Sequence, residues 1–129
     1  MKNLYPRFLV AMTVFCLTFP ANAAEFRKNI AFPHGQYSTI IKGNVVRGDR
    51  DVYFIKVRSG QVMFISISAL EKNAVFSVYE PEAKRAIPGT EEEKDSTQWS
   101  SPLSKTGKYR IVVGGTRGNA SYKLRVTVK

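Results

Sequence analysis

The chain has 129 residues, of which 43% are hydrophobic, so it is long enough for one domain with a single core. Lysine and arginine number 20 against 10 acidic residues, and this excess favours an anionic partner, unless the charge serves only solubility. A single cysteine excludes an internal disulfide, and a single histidine leaves few groups for catalysis.

The first residues have the organisation of an export signal. Lys2 and Arg7 precede an apolar run from 8 to 20, and the sequence Ala-Asn-Ala then offers the small residues that a signal peptidase requires. The run of about 13 residues is too short to cross a hydrocarbon core of about 30 Å as a helix. We therefore predict cleavage between Ala23 and Ala24, with an uncleaved anchor as the alternative.

Cleavage at this position divides the chain into a signal peptide, 1–23, and a single domain, 24–129. The leader contains Cys16 and two of the basic residues, so the mature domain has no cysteine and a formal charge of +8. The domain therefore folds without disulfides, although an exported protein meets conditions that permit them.

Short strand patterns follow one another along the mature chain. Residues 25–33 predict an edge strand limited by a proline, and residues 39–43 predict a second strand. Residues 51–68 predict a central hairpin with a tight turn at Ser59–Gly60, because apolar residues recur there at a period of two. Its inward residues are Tyr53, Ile55, Val57, Met63, Ile65 and Ile67.

The second half of the chain continues these patterns. Residues 74–79 predict another strand, whereas 82–101 is irregular and contains Trp99, which we expect to cap one end of the core. Residues 109–113 and 122–128 predict a second hairpin around a glycine-rich loop. No run of ten residues has helical periodicity, so the sequence predicts an all-β fold, an antiparallel β-sandwich of about six to eight short strands.

The residue types that carry most enzyme chemistry are scarce in the mature domain. His34 lies in a turn-like stretch and has neither a cysteine nor a GxSxG-type serine to activate. Glu91, Glu92, Glu93 and Asp95 lack the glycine and the ligand alternation of a calcium loop, so a solvated acidic loop is the simpler interpretation. A pair of glycosidase carboxylates stays open, because nothing in the sequence singles one out. We predict a protein without catalytic activity, metal or cofactor.

Two surfaces are candidates for binding. Lys123, Arg125 and Lys129 point to one side of the last strand and form a basic strip, although no nucleic-acid recognition module fits the chain. The loop 114–120 presents Arg117 among glycines and small polar residues, and an arginine offers a planar fork to a carboxylate. An ordinary turn with a solvated arginine is the alternative for this loop.

Several stretches of the chain resemble a known family. The sequences IIKGNVVRGDRDVYFIKVRSGQVMFISIS, NAVFSVYEP and TGKYRIVVGG resemble the bacterial pre-peptidase C-terminal domain, which has an inward tyrosine after an aspartate and a Gly-Gln turn. The resemblance is closer still to the small exported inhibitors of goose-type lysozyme, and it spans nearly all of the mature chain. Its specific parts are GQYS at 35–38, DVYF, SGQ, SIS and GTRGNA at 115–120.

The resemblance implies a periplasmic β-sandwich whose partner is a lysozyme, with the goose type favoured. Exposed loops fill the lysozyme groove in such inhibitors, which makes Tyr37, Ser38, Arg117 and Asn119 the candidate contact residues. By this likeness Arg117 pairs with a catalytic carboxylate and Tyr37 stacks in a sugar subsite. The resemblance implies neither a cofactor nor stable insertion into a membrane. The strong basic charge and the acidic run at 91–93 depart from those inhibitors, and many lysozymes are themselves basic.

Two other functions stay open on the residues alone. The basic strip is suited to binding an anionic polymer of the cell envelope, and such binding should fade steeply with salt. A stabilising or adhesion domain without a soluble partner is the third interpretation.

Overall fold

The protein, for which a computed structural model was obtained, is described over residues 25–129, so the predicted signal peptide lies outside the described residues. A short 3-10 helix, Glu92–Lys94, interrupts a chain that is otherwise built of strands and connections. Within this part of the chain, no helix is long and apolar enough to cross a membrane. The strands are β1 Glu25–Asn29, β2 Ser38–Val46, β3 Arg50–Val57, β4 Val62–Ala69, β5 Ala74–Tyr79, β6 Gln98–Pro102, β7 Gly107–Gly115 and β8 Asn119–Val128.

The strands form two sheets of four. The order is β1-β3-β7-β5 in the first sheet and β2-β8-β4-β6 in the second. All neighbours are antiparallel except β1, which runs parallel to β3. The predicted all-β fold and antiparallel β-sandwich are therefore confirmed, with a strand number at the top of the predicted range.

Both predicted hairpins are wrong. β3 pairs with β1 and β7 in the first sheet, whereas β4 pairs with β6 and β8 in the second, so residues 58–61 carry the chain across the core. In the same way, β7 lies in the first sheet and β8 in the second. The physical reason is that a hairpin and a crossing between facing sheets bury the same alternate side chains. Periodicity therefore cannot distinguish them.

The core lies between the sheets and is built from the alternate side chains of each strand. The predicted inward residues of β3 and β4 are all buried, and β5, β7 and β8 contribute a further set. Trp99 is partly buried on β6, paired with Ile65, and packs against this core from one edge. Residues with 0% exposure are Met63, Ile65, Val78, Thr90, Ile111, Val113, Leu124 and Val126.

The irregular segment between β5 and β6 covers the free edge of β5. The backbone N–H of Val78 donates to Oγ1 of Thr90 at 3.0 Å, and the N–H of Ile87 donates to the carbonyl of Val78 at 2.7 Å. Further along, the N–H of Phe76 donates to the carbonyl of Ser96 at 3.0 Å. An uncovered edge strand would invite pairing with another chain, and this segment prevents it at β5.

A buried hydrogen-bond network joins the two sheets through the core. Tyr122 of β8 donates its hydroxyl to Oδ2 of Asp51 on β3 at 2.5 Å, and its oxygen lies 2.6 Å from the hydroxyl of Tyr53. Burial raises the pKa of Tyr122, and its hydrogen bonds to Asp51 and then Tyr53 raise it further, so this phenol stays protonated. Gly43 is paired with Tyr122 in the second sheet, and a Cβ at this position would overlap the tyrosine hydroxyl. The network therefore depends on a glycine opposite the tyrosine.

Replacing Tyr122 by phenylalanine tests this network. The change removes the hydroxyl that satisfies the buried Asp51 carboxyl, so we expect the free energy of unfolding to fall by about 1–3 kcal/mol. Urea denaturation followed by circular dichroism measures it. Tyr37→Phe is the matched control, because that residue is 64% exposed. Equal stability of the two variants would contradict a structural role for the network.

Candidate functional site

Three turns meet at one end of the sandwich and form a surface that we name the arginine tip. The pairing of Val46 with Asn119 places the end of β2 beside the start of β8. The pairing of Ala74 with Gly115 places the start of β5 beside the end of β7, and β4 ends next to the same part of β8. The register of the strands therefore brings together turns that are distant in sequence. The arginine tip consists of residues 46–49, 70–73 and 116–119.

Asn73 fixes the turn that carries Arg117. The Asn73 side chain is 1% exposed, and its Nδ2 donates to the backbone carbonyls of Arg117 and Asn119, both at 3.0 Å. The backbone carbonyl of Asn73 accepts a 2.9 Å hydrogen bond from the N–H of Thr116. The N–H of Arg47 donates to the same turn, also at 2.9 Å. Arg117 thus lies on a turn held from two sides.

The side chains at the arginine tip include cations and an exposed apolar group, together with the carboxylates of Asp49 and Glu71. Arg117 is exposed, and its Nη2 donates to the backbone carbonyl of Glu71 at 2.7 Å, which orients the guanidinium along the surface. Arg47 is exposed on the neighbouring turn. Leu70 is 99% exposed, the highest value among the exposed large hydrophobic side chains of the described residues. The surface is suited to contact an anionic group that has an apolar rim.

Acidic residues flank the arginine tip along the first sheet. Glu92 forms an ion pair of 2.9 Å with Arg50, at the start of β3 next to the turn 46–49. The Arg50 side chain is about half exposed and that of Glu92 is largely exposed. Glu92 and Asp95 share an open cavity of about 290 Å³ with Thr116 of the tip. The acidic run is therefore close to the tip in space, although the two are separated in sequence.

The chemistry of the tip is that of binding. A guanidinium carries five N–H donors in a fixed fork and matches a carboxylate or phosphate with two parallel hydrogen bonds. His34, the single histidine of the chain, lies in the connection between β1 and β2, at the opposite end of the sandwich. Within residues 25–129, no group of three or more His, Cys, Asp or Glu side chains is arranged to hold a metal ion.

The structure does not bring the four predicted contact residues together. Arg117 and Asn119 lie at the arginine tip, whereas Tyr37 and Ser38 lie at the opposite end. The carbonyl of Tyr37 accepts from the N–H of Val128 at 2.9 Å, next to the C-terminus. Ser38 and Val46 are the two ends of β2, and eight residue steps of an extended strand separate them by about 27 Å.

Tyr37 belongs to a different surface. Its ring is 64% exposed and lines an open cavity of about 510 Å³ together with Phe32 and Val128. Lys56, Arg58 and Lys108 line the same cavity. Ser38 accepts a hydrogen bond from Thr127 at 2.9 Å and lies on the outer face of the second sheet. The glycine-rich loop and the stretch 35–38 are therefore separate candidates.

The sequence analysis did not select three residues that the structure places at the tip. Arg47 is one of many basic residues, and only the bond between its backbone and the turn 116–119 places it near Arg117. Leu70 interrupts a polar connection, and that isolated apolar residue was an available signal. Asn73 looked like an ordinary turn residue, but its burial marks it as the anchor of the tip.

Comparison with known proteins gives structural similarities only. No family model and no curated protein matches the chain. Among solved structures, the chain is similar to PliG of Aeromonas hydrophila, a periplasmic lysozyme inhibitor of g-type lysozyme. The TM-score is 0.70 and the identity 26%, over 83% of this chain and 99% of that chain.

Two further structures share the fold. PliG of Salmonella Typhimurium, also a periplasmic inhibitor of g-type lysozyme, has a TM-score of 0.64 and 23% identity over 81% of this chain and 98% of its own. The pre-peptidase C-terminal domain of collagenase from Bacillus anthracis has a TM-score of 0.56 and 22% identity over 83% of this chain and 96% of its own. The resemblance that the sequence indicated is therefore confirmed, since the chain is similar in structure to PliG inhibitors and to a pre-peptidase C-terminal domain.

Proposed function

We propose that this protein is a periplasmic inhibitor of goose-type lysozyme. The observation that carries the proposal is the similarity to Aeromonas hydrophila PliG, which extends over 99% of that chain. The predicted signal peptide 1–23, cleaved between Ala23 and Ala24, provides the route to the periplasm. The protein acts by binding the enzyme and carries out no reaction of its own.

The arginine tip is the surface that we assign to the lysozyme cleft. Glycoside hydrolases generally use a pair of carboxylates, and Arg117 offers such a group a planar, charge-assisted pair of hydrogen bonds. Arg47 adds a second positive charge on the adjacent turn. Leu70 supplies apolar surface that excludes water from the contact, which strengthens the polar interactions that it surrounds. Occupation of the cleft by the tip blocks access of the polysaccharide.

The fixed conformation of the tip supports this assignment. Ordering a flexible loop at an interface costs conformational entropy, and a loop that is already ordered avoids most of that cost. Asn73 holds the backbone of the turn, and the carbonyl of Glu71 holds the guanidinium of Arg117. Asn119, whose carbonyl Asn73 binds, is kept at the rim of the same surface.

The acidic flank accounts for binding between two basic proteins. Repulsion between net charges is screened beyond a Debye length of about 8 Å at physiological ionic strength, so charges close to the contact decide the outcome. Asp95 and Glu92, the latter paired with Arg50, lie beside the arginines of the tip. This order of charges complements an acidic cleft in a basic surface and favours one orientation of approach.

Arg117→Ala tests the assignment of the cleft contact. Truncation of an arginine paired with a desolvated carboxylate costs about 2–4 kcal/mol, so we expect inhibition of a goose-type lysozyme to weaken at least about tenfold. A turbidity assay with bacterial cells measures it. Tyr37→Ala is the matched control at the opposite end of the sandwich and should inhibit like the unaltered protein.

Two results of that assay would count against the proposal. If Tyr37→Ala loses inhibition and Arg117→Ala keeps it, the opposite end of the sandwich binds the enzyme. If the unaltered mature protein fails to inhibit a goose-type lysozyme, the proposed function is wrong, and chicken- and invertebrate-type lysozymes in the same assay show whether the target is another type.

Asn73→Ala tests whether the tip must be ordered. Loss of two hydrogen bonds to the turn should destabilise the fold by about 1–3 kcal/mol and increase amide hydrogen exchange at 116–119. We expect weaker inhibition even though Arg117 is unchanged. Asn44→Ala is the control, because Asn44 is exposed and lies outside the tip. Unaltered exchange at 116–119 in Asn73→Ala would disprove the anchoring role.

A further inference from the structure

The outer face of the second sheet carries a one-sided distribution of charge. Side chains of β2, β4, β6 and β8 alternate between the core and this face. The charged residues that point outward from these strands are all basic: Lys42, Lys123 and Arg125. The remaining outward residues are uncharged. Lys129, just beyond the end of β8, extends the same basic strip.

Two of these cations are directly opposed in the sheet. Lys42 of β2 is paired with Lys123 of β8, and like charges facing each other across neighbouring strands are unfavourable. None of the ion pairs found within residues 25–129 includes either lysine. Repulsion between the two ammonium groups destabilises the sheet, and a bound anion would remove this repulsion.

A trough lies beside the two lysines, and both of them line it. It is an open cavity of about 590 Å³, lined by small residues of the strands and by Leu70 of the arginine tip. Ser68 and Ser121 line it with hydroxyl groups, and the Ser121 hydroxyl donates to Oδ1 of Asn44 at 2.5 Å. The trough therefore offers two ammonium groups and several neutral polar groups to one ligand.

We propose that this face binds an extended soluble polyanion whose anionic groups repeat along a single chain. Lys123 and Arg125 are two residues apart on one strand, so their Cα atoms are separated by about 7 Å along β8. The cations thus follow a line rather than surrounding one point, which suits a polymer better than a single small anion. The charge of the ligand complements a face without carboxylates.

A membrane surface is the less favoured occupant. Apolar side chains that anchor a protein in lipid reach about 5–10 Å into the headgroup boundary. On this face the exposed large apolar side chains are Ile40, Val46, Val62 and Phe64, and none of them is more than 51% exposed. The cations of this face lie outside the arginine tip, although Leu70 of the tip lines the same trough, so a bound polyanion would leave Arg117 accessible.

Binding of long-chain sodium polyphosphate tests the proposal. The protein with Lys42→Gln, Lys123→Gln and Arg125→Gln is compared with a control of equal charge that carries Lys28→Gln, Lys84→Gln and Arg85→Gln, three exposed positions elsewhere. Three exposed charge pairs together contribute about tenfold in affinity, so the first variant should bind about tenfold more weakly than the control. The slope of the logarithm of its binding constant against the logarithm of the salt concentration should also be shallower by about two.

The outcomes separate the alternatives. Equal weakening of both variants would show that net charge alone attracts polyphosphate and would overturn the proposal. Absence of binding by the unaltered protein would do the same, as would binding to phosphatidylglycerol vesicles without binding to polyphosphate. Thermal unfolding provides a second readout, because polyphosphate should raise the melting temperature of the unaltered protein and of the control more than that of the face variant. Inhibition of lysozyme by the face variant should be unchanged, because the tip is intact.

Discussion

The antiparallel pairing of β2 with β8 is the constraint on which the rest of the molecule depends. Nine consecutive residue pairs run from Ser38 at one end of the sandwich to Val46 at the other. Within this ladder Gly43 lies opposite Tyr122, whose hydroxyl crosses the core to Asp51 of the first sheet. The pairing therefore fixes the position of one sheet against the other and decides which turns share an end. A shift of one residue would exchange the inward and outward faces of β2.

The sequence was sufficient to predict the strands and their buried faces, but not their partners. Burial of one face is a local property of a strand, so alternation alone placed Tyr53 and Ile65 in the core. Pairing depends on the whole chain, and residues 58–61 look like a hairpin turn whether they join neighbours or cross between sheets. The parallel position of β1 had no local signal either. The sequence predicts an irregular loop for the long segment between β5 and β6, because this segment has no periodic pattern of its own. Its hydrogen bonds, such as those of Thr90, go to the edge strand β5 instead.

A residue of the candidate site could be predicted only where its own local sequence was unusual. Arg117 stands out as a large side chain among glycines, and the structure places it on an exposed turn. Asn73 has no distinguishing pattern, because its role is to be buried under a turn that lies more than forty residues away. Tyr37 was grouped with Arg117 because a resemblance in sequence does not say which loops share an end. The resulting molecule has three candidate surfaces: the arginine tip, an aromatic cavity at the opposite end, and a basic sheet face that adjoins the tip at Leu70.

The central claim is that the arginine tip, and not the end that carries Tyr37, contacts the lysozyme. Hydrogen–deuterium exchange of the mature protein, alone and with a goose-type lysozyme, tests it most directly because it reports on every turn at once. We expect slower exchange at 46–49, 70–73 and 116–119 in the complex, with 34–37 unchanged. Protection confined to 34–37 and the neighbouring turn at 58–61 would contradict it.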